Sequence, residues 1–164
     1  MIAELGLAAL WLAAALAALQ LVTGALAVRQ DAGTGEAAIA DLTRPATVVQ
    51  GILAALSFAA LLYVFAVTDL SVKLVADNSH SLKPMIFKLS GAWGNHEGSM
   101  LLWVTVLAAS GALIALVERR LPERTMQAVL ASQGFVALGF YAFLLLSSNP
   151  FERLPIPVEE GAGL

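Results

Sequence analysis

Four stretches of this chain contain no Asp, Glu, Lys or Arg: residues 5–28, 45–68, 98–117 and 125–151, which are 24, 24, 20 and 27 residues long. Each can cross a bilayer, because about 20 helical residues at a rise of about 1.5 Å cover the roughly 30 Å hydrocarbon core. No water reaches the backbone at that depth, so each crossing run must be helical and satisfy its own peptide groups. The eight Leu of the first run favour insertion by about 4 kcal/mol, whereas one central Arg or Asp would cost about 3 kcal/mol. Composition agrees: 59% of residues are hydrophobic, 13% are charged, and the mean hydropathy is +0.82. Soluble domains carry about 25% charged residues. The expected fold class is therefore all-α, a polytopic membrane protein with one membrane domain over residues 1–164. Its transmembrane helices are expected at about 5–28, 45–68, 92–117 and 125–148.

The first run does not read as a cleaved signal peptide. Such segments have an apolar core of about 7–15 residues behind a basic leader, and here the leader is Met-Ile-Ala-Glu. An uncleaved span is expected. Basic residues are densest around Arg119, Arg120 and Arg124, which places that loop, and with it the 29–44 connection, in the cytoplasm. By alternation the N-terminus, the 69–91 loop and the 149–164 tail face the periplasm of a bacterial inner membrane. Of the nine Lys and Arg, five fall on the inner side and four, Lys73, Lys83, Lys88 and Arg153, on the outer. Pro45 is expected to open the second helix, with Asp41 or Thr43 as its cap. Pro122 should separate the third and fourth helices. The Pro-rich tail reads as an extended strap along the surface.

Several functions are excluded early. With no Cys, the chain has no disulfide, no thiolate ligand and no Cys-x-x-Cys-His haem attachment site of its own. A net charge of -3 lacks the basic face that nucleic acid requires, and no Gly-rich phosphate loop is present. Proton or solute transport generally uses ionisable groups inside the membrane. At interior positions these spans offer only neutral polar residues, among them Gln20, Thr23, Gln50, Ser57, Ser110, Ser132 and Gln133.

The stretch SGAWGNHEGSMLLWV, residues 90–104, concentrates the remaining chemistry. On a helix Trp93, His96 or Glu97, Met100 and Trp103 recur at a spacing that shares one face. Gly94 and Gly98 form a Gly-x-x-x-Gly pair, with Ser90 a turn earlier, suited to close helix approach. One reading is an interfacial aromatic belt with His96 and Glu97 at headgroup depth. The other is a functional polar pair, since a carboxylate beside an apolar run needs a partner or a wet cavity. A zinc hydrolase does not fit, because the residue four beyond His96 is Met100 and too few ligands remain for a closed metal site. An imidazole beside Trp and Met can ligate or line a haem, and can equally serve as a hydrogen-bonding brace.

These residues carry a resemblance. VADNSHSLKPMIFKLSGAWGNHEGSMLLWV, residues 75–104, is similar to the Trp-Gly-x-His-Glu-Gly-Ser-x-Leu-Leu-Trp region of the CcmF/NrfE family, membrane subunits of the bacterial cytochrome c haem lyase. MIAELG at the start and SSNPFERLP after the fourth run also match its pattern. The resemblance implies covalent attachment of haem to apocytochrome c on the outer side of the membrane. It implies as partners a periplasmic haem chaperone, the apocytochrome, thiol-handling assembly subunits and membrane lipid. The family's Trp-rich haem-binding motif and haem-ligating histidines come later than the part matched here. The chain is thus expected to be the N-terminal part of a lyase, from a truncated or split gene, with the main haem ligands elsewhere. Motif residues Trp93, Gly94, His96, Glu97, Gly98, Ser99 and Trp103 are expected to support rather than catalyse. No catalytic residue is assigned. The alternative function is a non-catalytic membrane scaffold for cytochrome c assembly proteins.

Overall fold

The computed structural model describes residues 1–29, 41–156 and 158–163; most of the expected 29–44 connection lies outside the described residues. Among the described residues six helices follow in order: α1 (Ile2–Arg29), α2 (Thr43–Ala66), α3 (Lys73–Asn78), α4 (Met85–Gly91), α5 (His96–Val117) and α6 (Glu123–Leu146). Four of them, α1, α2, α5 and α6, are long and apolar enough to cross a membrane.

The four long helices form an antiparallel ring. α1 lies between α2 and α6, α2 packs on α5, and α5 meets α6 to close it. Small residues allow this. Gly24 of α1 sits so near α6 that a Cβ there would lie 2.9 Å from the Ala131 Cβ, and a Cβ on Gly51 of α2 would lie 2.7 Å from the Ala112 Cβ of α5. Without a hydrophobic force between helices in lipid, such close backbone approach supplies the van der Waals contact that holds a bundle together. Large apolar side chains such as Trp11, Leu12, Leu113 and Phe135 point outward, while Ala13, Ala17, Gln20, Gln50 and Ser57 are buried. That distribution suits a lipid solvent.

Buried polar groups find partners across helices. The Gln20 amide donates to Gln133 Oε1 at 2.5 Å and to the Leu130 carbonyl at 2.6 Å. Gln50 donates to the Tyr141 hydroxyl at 3.2 Å, and Ser57 donates to the Gly6 carbonyl at 2.9 Å. Ser110 and Ser132 are exposed, and each hydroxyl donates to the carbonyl four residues back in its own helix at 2.8 Å. A lipid-facing hydroxyl is satisfied in this way without another helix.

Two helix starts differ from the sequence expectation. α2 begins at Thr43 with Leu42 at its cap position and no side-chain cap. Thr43 is buried and donates instead to the Thr23 hydroxyl of α1 at 2.9 Å. Interhelical bonding has taken the group that would have capped. The expected 92–117 helix starts at His96, because the Asn95 side chain accepts from the Gly98 N–H at 2.7 Å and residues 92–95 form a turn. The 69–91 segment, expected as a loop, contains α3 and α4. Pro122 immediately precedes α6.

Candidate functional site

One end of the ring gathers the start of α1, the end of α2, the start of α5 and the end of α6. The 67–95 connection and the tail form a layer over it. α2 leaves through a Schellman-type cap: the Thr68 N–H reaches the Phe65 carbonyl at 3.1 Å and the Asp69 N–H reaches the Val64 carbonyl at 2.9 Å. The turn requires a left-handed backbone at Thr68, with φ of 55°, a conformation that glycine adopts freely and a β-branched residue does not.

Asp69 is thereby aimed at Arg153 of the tail. Arg153 Nη1 lies 3.2 Å from Asp69 Oδ2 and Arg153 Nη2 lies 2.5 Å from Glu4 Oε1. Ser71 hydrogen-bonds Asp69 and receives a hydrogen bond from Arg153. Burial pushes the Asp69 carboxyl upward, but hydrogen bonds from Ser71 and the Arg153 charge together outweigh it and hold the group below its ordinary range. An isolated antiparallel bridge between Val72 and Arg153 continues the join, with the Leu154 N–H on the Ser71 carbonyl and the Lys73 N–H on the Glu152 carbonyl, both 2.9 Å. Further along, Glu160 accepts from the Ser81 hydroxyl at 2.5 Å and from the Ser81 N–H at 3.0 Å. Those bonds, with the Gly161 N–H and nearby His80, bring the Glu160 carboxyl down to about 2. The tail is thus bonded along the 69–81 segment.

The motif residues take distinct places within this layer and at the start of α5. His96 opens α5, with Nδ1 3.2 Å from the Ser148 hydroxyl and its ring edge-to-face with Phe143, the centroids 5.6 Å apart. It therefore ties the start of α5 to the end of α6. Glu97 lines a small cleft with Lys73, Asp77, Asn149 and Glu152. Ser99 donates to the His96 carbonyl at 2.9 Å. Trp93 is exposed in the turn before α5, and Trp103 is exposed on α5 itself. The expected single helical face from Trp93 to Trp103 does not form, since Trp93 precedes the helix.

Gly94 and Gly98 do not pair on one helix either. Gly94 lies in the turn with its N–H on the Ser90 carbonyl at 3.0 Å. Gly98 is buried where any Cβ would overlap the Ala92 carbonyl oxygen. Its glycine is needed for the turn to fold back over the helix start, not for another helix to approach.

The two imidazoles do not converge on one site. His96 Nδ1 faces Ser148, His80 Nδ1 accepts from the Leu82 N–H at 3.2 Å, and the two rings sit on different segments. No cluster of three His, Cys, Asp or Glu side chains suited to a metal ion occurs among the described residues.

No family model matches the chain. It is 49% identical over 160 residues to the cytochrome c-type biogenesis protein CycK of Rhizobium meliloti, covering 97% of this chain and 23% of that protein. It is 42% identical over 155 residues to the cytochrome c-type biogenesis protein CcmF of Haemophilus influenzae, covering 93% and 23%. Among solved structures, cytochrome c heme lyase CcmF superposes with a TM-score of 0.84 at 28% identity, over 93% of this chain and 25% of that one. The chain belongs to the CcmF/CycK/NrfE family. It spans about a quarter of the length of these relatives.

In this CcmF-family chain, sequence reasoning passed over the residues that bind the layer together: Arg153, Asp69, Ser71, Glu4 and Ser148. Arg153 and Glu4 did lie inside stretches that matched the family pattern, SSNPFERLP and MIAELG. The available signal was a basic residue in the tail and an acidic one at the first turn, both inside those matching stretches.

Proposed function

We propose that this chain acts within a CcmF-type cytochrome c haem lyase as the four-helix portion that frames the outer end of the membrane bundle while haem is joined covalently to apocytochrome c. The supporting observation is the superposition on cytochrome c heme lyase CcmF across 93% of the chain. The denser basic loop at Arg119, Arg120 and Arg124 favours an orientation with the N-terminus and the tail-covered end in the periplasm of the inner membrane. A periplasmic haem chaperone, the apocytochrome and thiol-handling assembly subunits are then partners at that end. The main haem ligands belong to other lyase segments, as the family resemblance implies.

His96 serves as a positioning residue. Its Ser148 contact keeps α5 and α6 in register at the surface where the partners arrive, and the Arg153 clamp holds the tail over α1 and α2. Trp93 and Trp103 set helix depth and an apolar wall. Glu97 presents a carboxylate to the cleft. A second reading, a scaffold with no part in the chemistry, draws support from Nδ1 of each imidazole bonding the chain's own groups.

The test is a maturation assay in a bacterium lacking its own lyase. A full-length family member carrying this chain in place of its matching segment should restore covalent cytochrome c haem, whereas the chain alone should restore none. An inserted, stable chimera that yields no cytochrome would contradict the lyase assignment. Maturation by the chain alone would contradict the assignment of haem ligands to other segments.

A further inference from the structure

α4 and its approach carry an apolar surface that the helix ring does not cover. Leu82, Met85, Ile86, Phe87 and Trp93 are each at least 44% exposed, and no residue of α4 is buried. Met85, Ile86 and Leu89 fall on one arc of the helix, with Leu82 just before it. A run of this kind facing water would be an aggregation liability. It does not reach far into water, however, because α4 is tethered between the end of α2 and the start of α5 and packs beside α2. A Cβ on Gly91 would lie 3.1 Å from the Phe65 ring. The segment therefore stays at the level of the helix ends, where the bilayer surface lies.

Its charges are of one sign. Lys83 and Lys88 are the ionisable residues from 81 to 93. Lys83 Nζ donates to the Asn78 carbonyl at 3.2 Å and Lys88 Nζ to the Ser81 carbonyl at 3.0 Å. Each ammonium has three donors, so both retain N–H groups for an outside acceptor. Lys83 also lines a cleft of about 260 Å³ with Phe87, Ser90 and Gly94. Apolar side chains beside half-exposed lysines are the arrangement of an interfacial helix, whose apolar face enters the acyl boundary while the ammonium groups meet phosphates.

We propose that residues 82–93 form an interfacial anchor that docks on the anionic phospholipid leaflet at this end of the bundle, with Leu82, Met85 and Ile86 inserted and Lys83 and Lys88 on headgroup phosphates. The inference rests on the membrane-spanning fold and not on the lyase role. Because the chain has no Cys, an Ile86→Cys variant of the full chain accepts a single environment-sensitive fluorophore. A Leu113→Cys variant labels a transmembrane position as control. Both are reconstituted in vesicles of phosphatidylcholine with phosphatidylglycerol and exposed to brominated acyl chains or aqueous iodide.

The anchor predicts strong bromolipid quenching and little iodide quenching at position 86. Bromolipid quenching should fall at least twofold in a Lys83→Gln/Lys88→Gln background. With both lysines intact it should fall similarly at about 0.5 M salt, where screening shortens electrostatic reach; this arm separates charge loss from misfolding. Iodide quenching, or quenching by neither agent, would overturn the anchor by showing water or protein over the face. Lipid quenching indifferent to both salt and lysine replacement would overturn the phosphate contact. If position 113 escapes bromolipid, the spanning fold itself fails, an outcome distinct from either.

Discussion

Arg153 and Glu4, 149 positions apart, meet through two guanidinium nitrogens at 2.5 and 2.9 Å, joining the tail to the first turn of α1. The same guanidinium holds Asp69 just beyond α2, so one side chain links the tail to the ends of two packed helices. Exposed ion pairs contribute about 0–1 kcal/mol each. Arg153→Gln should therefore lower stability by only about 1 kcal/mol while greatly increasing amide exchange at residues 71–73 and 152–154. Exchange measured by mass spectrometry in nanodiscs checks this; unchanged protection there would remove the clamp from the account.

Acidification should loosen the same layer. Asp69 and Glu160 are held below their ordinary values, Glu160 at about 2 against 4.5. A depressed carboxylate contributes stability that is fully present above its unfolded value and is lost as pH falls through the folded one. A spin label at an Ala162→Cys position should thus keep constant mobility from about pH 8 to 5 and gain mobility from about pH 4.5 towards 2. A gain in mobility already complete above pH 5 would contradict the carboxylate hold.

Thr68 occupies a left-handed turn with its hydroxyl buried and lacking a hydrogen-bond partner. Thr68→Gly should raise stability by about 1 kcal/mol, since relief of backbone strain exceeds the added entropy of an unfolded glycine. Thermal unfolding in detergent measures it, and destabilisation would show that the Thr methyl packs more usefully than the turn suggests.

At the start of α5 two residues should respond unequally. Asn95→Ala removes a cap and should cost about 1 kcal/mol. Gly98→Ala forces a methyl into the Ala92 carbonyl and should cost about 3 kcal/mol or more, with loss of membrane-inserted protein. Equal effects in a thermal-shift comparison would argue against the folded-back turn.

The spans were legible because lipid makes a single demand on them, and an uninterrupted apolar run of about 20 residues meets it. The helix starts were less so. Thr43 looks like a cap in sequence, but burial against Thr23 redirects its hydroxyl, a tertiary preference that local chemistry cannot express. Likewise Gly94 and Gly98 have the spacing of a helix-contact pair. Asn95 between them starts the helix one residue later, which separates their roles. The motif around His96 was visible as chemistry. Its partner Ser148 was not, because it lies 52 positions away, across a whole transmembrane hairpin. The tail's path followed from its prolines, while its docking depended on long-range charge pairing.

The central claim is that His96 braces the bundle and does not ligate haem. Its most direct test is His96→Ala in an intact homologous lyase, with covalent cytochrome c and the bound-haem absorption band of the purified lyase measured together. The account predicts a clear reduction in cytochrome c with the lyase haem band retained; disappearance of that band from a stably inserted variant would contradict it.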